Sequence, residues 1–293
     1  FYPTFLLSNL VFRSYHCAVL ILIPNLYLSE IPMRLLSLFL FLTCVVLISG
    51  CGSETQQSME PTVAADETEA TPFFNQFMAC KAGPEHSEEN MRNIIAEFNT
   101  LNISDQVAWM GGYEPIEGQD TNGWWEVQWM SEEAAEAGWE MWSKDQEAQD
   151  WVESSKSILE CDGSTLFGYE AYFPAPESVA LPDFKTYAAA EIPCMFNDGK
   201  TEEDLASFVG EFNDWLIKSG SEEKFAYGIY LPTGEDQADF YWFNWFRDFA
   251  SMDRGSENWE VNGQEMSAKL NEISTCADPN LYNGAEFYIA DTN

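Results

Sequence analysis

From residue 73 to residue 290 the chain alternates between two apolar rhythms, and they come in the same order twice. Residues 73–80 and 187–194 are short, dense apolar runs of strand length and predict two first strands. Ser87 and Thr201 follow, each standing before a pair of glutamates, Glu88-Glu89 and Glu202-Glu203. A hydroxyl at the N-cap and carboxylates in the first turn complement the free N–H groups of a helix start. Behind them Met91, Ile94, Ile95, Phe98 and Leu101 recur at helical spacing, matched by Leu205, Phe208, Val209, Phe212 and Trp215. Paired strands come next, 106–113 with 123–130 and 225–231 with 239–246, joined by the turn-rich GQDTN and PTGED. Second helices are predicted within 132–159 and 256–273, and closing strands at 165–173 and 281–290. Each half therefore reads β-α-β-β-α-β.

The halves also match residue by residue. Cys80, Glu88, Glu89, Glu97, Phe98 and Asn99 meet Cys194, Glu202, Glu203, Glu211, Phe212 and Asn213 at a constant offset of 114. The match resumes at Trp129 with Trp245 and at Cys161 with Cys276, and ends on Gly168-Glu170-Tyr172 against Gly284-Glu286-Tyr288. Duplication is the simplest reading. The order of elements resembles the ferredoxin-like split βαβ arrangement, and two such units in one chain resemble the dimeric α/β-barrel superfamily. The resemblance implies an α+β fold in which two tandem βαββαβ ferredoxin-like repeats pack as an intramolecular dimeric α/β-barrel-like unit. Their sheets would face each other with helices outside. Both faces of each sheet would then be buried, which suits strands as aromatic as Trp124-Trp125-Glu126-Val127-Gln128-Trp129.

Upstream the pattern is different. Met33-Arg34 is a short positive start, 35–48 is an apolar run of about 14 residues, and Ser49-Gly50 are small residues before Cys51. That is the layout of a secretory signal peptide, and the run is short of the ~20 residues that span a bilayer. Leu47-Ile48-Ser49-Gly50-Cys51 resembles the lipobox of bacterial lipoproteins. The resemblance implies cleavage before Cys51, palmitate-type acylation of that cysteine and a membrane partner reached through the anchor. Gly52 resembles the outer-membrane sorting pattern of Gram-negative lipoproteins. The expected organisation is a leader or mis-extended frame at 1–32, a signal peptide at 33–50 and an acidic tether at 51–72. Repeat 1 at 73–176, a linker at 177–183 and repeat 2 at 184–293 complete it.

Charge narrows the partners. The chain carries 13 Lys+Arg against 49 Asp+Glu, a formal charge of −36, which repels nucleic acid and anionic surfaces and suits a salty, marine environment. Eleven Trp, 12 Tyr and 21 Phe are too many aromatics for a disordered chain. Once Cys51 is assigned to lipid, four cysteines remain after the signal peptide. They allow three pairings, of which the duplication singles out Cys80–Cys161 and Cys194–Cys276; an exported protein meets the oxidising conditions such bonds need.

The sequence offers little catalytic chemistry. His86 is the single histidine after the signal peptide and its counterpart is Lys200; there is no CxxC, no GxSxG and no phosphate or dinucleotide loop. No metal and no cofactor is expected. The matched polar residues Gln128, Glu170, Asn244 and Glu286 sit inside aromatic strands, where buried polar groups must be satisfied. They are expected either to knit the two repeats together or to line a ligand cavity. Trp109, Trp125, Trp129, Trp139, Trp142, Tyr227, Trp242, Trp245 and Trp259 form an aromatic set that suits core packing or an apolar pocket. The expectation is a lipid-anchored, non-catalytic binding or structural module of the cell envelope, holding a small apolar ligand or meeting an envelope protein. The alternative is a cofactor-independent, monooxygenase-like enzyme of the superfamily it resembles.

Overall fold

A computed structural model describes residues 72–116, 122–176, 185–219 and 223–290, all within one unit of the chain. The leader, the signal peptide with Cys51, the tether up to residue 71 and the linker at 177–183 lie outside the described residues. Among the described residues, no helix is long and apolar enough to cross a membrane.

The first half runs β1 (Phe73–Ala82), α1 (Glu88–Phe98), β2 (Val107–Pro115), β3 (Gly123–Trp129), α2 (Glu132–Lys144), α3 (Gln146–Ser155) and β4 (Leu159–Tyr172). The second runs β5 (Thr186–Phe196), α4 (Glu202–Ser219), β6 (Phe225–Pro232), β7 (Phe240–Phe246), α5 (Phe249–Asn262), α6 (Gln264–Ile273), β8 (Ser274–Cys276) and β9 (Asn280–Ile289). Each predicted second helix is thus two helices. Asp145 ends α2 and caps α3 by accepting from the N–H groups of Glu147 and Ala148, while Gly263 separates α5 from α6. Ser87 and Ser131 cap α1 and α2 in the usual way, accepting from the N–H of Asn90 and Ala134. Thr201 instead donates its backbone N–H to Asp204, the returning half of a capping box.

The strands pair in the order β7-β6-β4-β1-β3-β2-β9-β5, and β7 also pairs with β5, so the sheet closes into an antiparallel barrel. Short β8 extends the ladder of β5. The first half contributes β4-β1-β3-β2 and the second β9-β5-β7-β6; the seams are β4 with β6 and β2 with β9. This is an α+β barrel with its helices outside, built within one chain. Closure leaves no unpaired edge between the halves, which is what a barrel achieves physically.

Alternation along each strand sorts the side chains into three layers. Phe77, Tyr113, Tyr169, Tyr187, Tyr230, Phe243, Trp245 and Tyr282 fill the interior. Outside, α1–α3 cover Phe74, Met78, Val107, Trp125, Val127 and Trp129. In the second half Leu205, Phe208, Phe212 and Leu216 of α4 pack on Tyr227, Phe240 and Trp242. Disulfides join Cys80 to Cys161 and Cys194 to Cys276, each across directly paired positions of neighbouring strands.

The register corrects part of the residue matching. Phe77 lies opposite Glu126, and its counterpart Glu191 lies opposite Phe243. Glu126 therefore corresponds to Phe243, one position away from the frame that matches Trp129 with Trp245. A one-residue slip turns a side chain to the other face: Trp129 packs under the helices, whereas Trp245 points into the barrel. In the closing strands Tyr169 lies opposite Asn75 and Tyr282 opposite Ala189, so the counterpart of Glu170 is Asn283, not Glu286. In the closing strand a bulge shifts the β1–β4 ladder between Met78 and Cys80, so identical letters there do not mark equivalent positions.

Candidate functional site

The four polar residues expected to act together are divided by that register. Gln128 and Glu286 face the barrel interior and meet around Trp109, which lies opposite Gln128 in the ladder and donates its indole N–H to Glu286 at 3.4 Å. Glu170 is on the outer face of β4, exposed, with the Tyr172 hydroxyl 3.3 Å away. Asn244 is on the outer face of β7, accepting from the indole N–H of Trp242 at 3.0 Å. One wall formed by all four does not exist.

The interior is instead organised by a residue the pattern did not single out, Glu126. It is 1% exposed and accepts hydrogen bonds from the Asn75 amide and from the hydroxyls of Tyr113 and Tyr230, the last at 2.7 Å. Trp245 donates to the Tyr113 oxygen at 3.2 Å. Burial raises the Glu126 carboxyl above its usual range, and the three donors offset part of that. The same burial, with the Glu126 charge beside them, holds the Tyr113 and Tyr230 phenols well above the ordinary value. Further along, Glu191 accepts from Tyr282 at 2.8 Å and is also raised by burial. The Trp109 ring lies over Gly111 and the Tyr187 ring over Gly284, where an added Cβ would come within 2.0 and 1.9 Å of them. Rings packed onto bare backbone make this interior a filled core with a satisfied carboxylate at its centre. Glu126 was legible in one respect: alternation places it on the same strand face as Trp124 and Gln128.

Open space lies on the other side of the sheet. Between the outer face of β1–β4 and helices α1–α3 is a cavity of about 450 Å³, within the usual size of a small-molecule site. Five indoles wall it: Trp125 and Trp129 from β3, Trp139 and Trp142 from α2, and Trp151 from α3. Alternation on β3 and the three-residue spacing on α2 bring the first four to one side. Gly138 lets α2 approach, because a Cβ there would sit 2.2 Å from the Trp129 ring. Hydrogen bonds fix two indoles, Trp139 to the side chain of Gln76 at 2.7 Å and Trp151 to the carbonyl of Ile94 at 3.0 Å. The polar groups in the wall are few, among them Ser104, Gln149 and Lys156, and the described residues place no carboxylate, imidazole or phenol there. Chemically the cavity is suited to enclosing a largely apolar molecule. The aromatic set in the sequence pointed here; which aromatics border space and which pack solid was not readable.

No protein-family model matches the chain, and no curated protein resembles it. Solved structures do. One is a protein provisionally named a monooxygenase from Lactobacillus acidophilus, 10% identical, covering 75% of this chain and 96% of its own, with a TM-score of 0.47. Another is the chlorite dismutase of Candidatus Nitrospira defluvii, 11% identical over 73% and 92%, with a TM-score of 0.43. A third is a heme-binding protein from Thermus thermophilus, 12% identical over 73% and 91%, again at 0.43. At this distance they speak only to the arrangement of strands and helices.

Proposed function

We propose that this chain is a lipid-anchored envelope protein whose first half binds a small, largely apolar molecule in the cavity between β1–β4 and α1–α3. The observation that carries the reading is the cavity itself, about 450 Å³ walled by five indoles. The anchor rests on the lipobox-like ending at Cys51 and on the export that two disulfides require. The outer membrane is the site proposed for it, with a small apolar ligand as partner. The two halves are read as a tandem duplication. Equivalent strand orders, equivalently placed disulfides and the paired contacts of Asn99 and Asn213 support that reading: Asn99 donates to the carbonyl of Phe287, and Asn213 to that of Pro174, each at 2.8 Å.

Native mass spectrometry of the purified full chain after exposure to a metabolite pool tests the binding. A retained small molecule is expected, lost when Val152→Trp fills the cavity; no retained species would overturn it. Mass analysis of the amino terminus tests the anchor, which an unmodified Cys51 would exclude.

The second reading is cofactor-independent oxygenation of the bound molecule. The architecture is shared with a superfamily that contains such monooxygenases, and the names of the neighbours point the same way, but fold analogy does not specify chemistry. Oxygen uptake in the presence of the retained molecule separates the two readings. Haem, implied by the names of other neighbours, does not fit this cavity. Among the described residues its wall supplies no imidazole, thiolate or phenolate ligand, Cys161 being in a disulfide, and His86 lines a different, open groove.

A further inference from the structure

The second half shows which side chains the first half lacks around its cavity. In the frame that matches Glu126 with Phe243, Trp125 and Trp129 of β3 correspond to Trp242 and Phe246 of β7. On the adjoining strand, Val107 lies opposite Trp129 and Met110 opposite Val127. Their counterparts are Phe225, opposite Phe246, and Tyr227, opposite Asn244. Two rings of β6 thus stand where β2 has Val107 and Met110, and both of those smaller side chains line the cavity. Ile94 of α1, another residue of the wall, matches Phe208 at the offset of 114.

The rings from β6 lie flat on their neighbours. Tyr227 and Trp242 have centroids 4.9 Å apart and planes 6° apart, and Phe225 and Phe246 have centroids 5.2 Å apart and planes 14° apart. In the first half, among the described residues, no ring lies parallel to either indole. Phe98, Trp151 and Phe287 meet Trp125 at 69°, 74° and 60°, and Trp139 meets Trp129 at 65°. The covering helices approach both sheets alike. An added Cβ at Gly138 of α2 would come within 2.2 Å of the Trp129 ring, and one at Gly255 of α5 within 2.6 Å of the Phe246 ring. At this point the room in the first half comes from smaller side chains and not from a wider gap between layers.

Resting on the binding function proposed above, we infer that the ligand is a flat aromatic molecule that takes the place of the missing rings and stacks on Trp125 and Trp129. The second half carries its own substitute for that ligand, Tyr227 and Phe225, so the chain binds one such molecule and not two. The two substitute rings have centroids 6.2 Å apart, which asks for a ligand of more than one ring. Aromatic pairs are favoured beyond the area they bury, whereas a puckered saturated ring of the same size gains only the burial.

2-Naphthol and decahydro-2-naphthol are matched probes with the same carbon skeleton and hydroxyl, one flat and aromatic, the other puckered and saturated. Calorimetry with the purified full chain should show naphthol binding at least about fivefold more tightly, the lower end of what two stacked pairs contribute. The NMR signals of bound naphthol should move upfield, as protons held over an indole face do, a readout that needs no variant. Val107→Phe combined with Met110→Tyr copies the second half into the first. It should lower naphthol affinity by about tenfold or more while the urea midpoint is kept or raised. Equal affinities, a preference for the saturated probe or unshifted naphthol signals would mean that the cavity selects by size alone; the inference is then wrong, with the binding reading intact. A folded double variant that binds naphthol as the parent does would also overturn it, and if that variant fails to fold, the two probes on the unaltered chain decide. If neither probe binds at any attainable concentration, the binding reading falls and takes this inference with it.

Discussion

Glu126 is a carboxylate placed where water does not reach, held by Asn75, Tyr113 and Tyr230, with no ion pair to it among the described residues. Its pH dependence follows from the direction of its shift. Burial raises the folded-state value above the unfolded one, about 4.3, so the folded state holds this proton more tightly. The resulting stabilisation is complete below the unfolded value and is lost as pH rises through the folded value. Glu191, raised for the same reason, adds in the same direction. Glu126→Gln cannot titrate, so its stability relative to the parent should improve as pH goes from 4 towards 8, measured by urea unfolding at each pH. A constant difference across that range would show that Glu126 does not hold its proton. Glu126→Ala should instead cost roughly 3 kcal/mol or more at any pH, because three buried donors lose their acceptor. The strand pattern marks Gln128 as easily as Glu126; only the hydroxyls arriving from β2 and β6 make one of them central.

At the scale of elements, the matched asparagines Asn99 and Asn213 show what sequence symmetry carries. Each follows a core phenylalanine at the end or in the later part of the first helix of its half, where an amide can tie the helix to a neighbouring strand. The structure supplies the strand, and it belongs to the other half: Phe287 of β9 for Asn99, and Pro174 just beyond β4 for Asn213. Asn213 also accepts from the Tyr227 hydroxyl. Asn99→Ala and Asn213→Ala should each lower stability by about 1–3 kcal/mol, with hydrogen exchange accelerating in the strand of the opposite half. Acceleration confined to the helix that carries the change would contradict the cross-tie. The disulfides act between elements of one half. Each closes a separation of 81 or 82 residues, and reduction should cost roughly 4 kcal/mol per bond on the chain-entropy account, read as a lowered urea midpoint in reductant.

For the whole barrel the two halves are mutually necessary. The inner face of β4-β1-β3-β2 presents Phe77, Tyr113 and Tyr169, which are covered by Tyr230, Phe243 and Tyr282 from β6, β7 and β9. Phe287 of β9 packs on Trp125 in the helix layer of the first half, with ring centroids 4.6 Å apart. Residues 70–176 expressed alone should therefore dimerise or aggregate, and a well-behaved monomer by sedimentation would refute the dependence. Salt should act on the whole molecule too. The ion pairs found, such as Arg92 with Glu88 and Lys218 with Asp214, are exposed and worth little, while the net charge of −36 repels itself. Raising NaCl from 0.05 to 1 M shortens the screening length to about 3 Å, so Tm should rise; a fall would mean that specific ion pairs outweigh the repulsion.

What the sequence determined by itself was whatever depends on near neighbours along the chain. The period of apolar residues set the order of strands and helices, Ser87 and Thr201 marked where the first helix of each half begins, and the repeated cysteines set two pairings. Facing direction was beyond it at several positions, because one bulge turns a strand over and the local pattern of an aromatic strand reads alike on both faces. Glu170 and Asn244 turned outwards for that reason. The closure of the barrel, the gathering of two tyrosines on Glu126 and the space among five indoles depend on side chains from distant segments meeting. Packing of that kind is decided by the shapes of all the partners at once, and no stretch of sequence contains them.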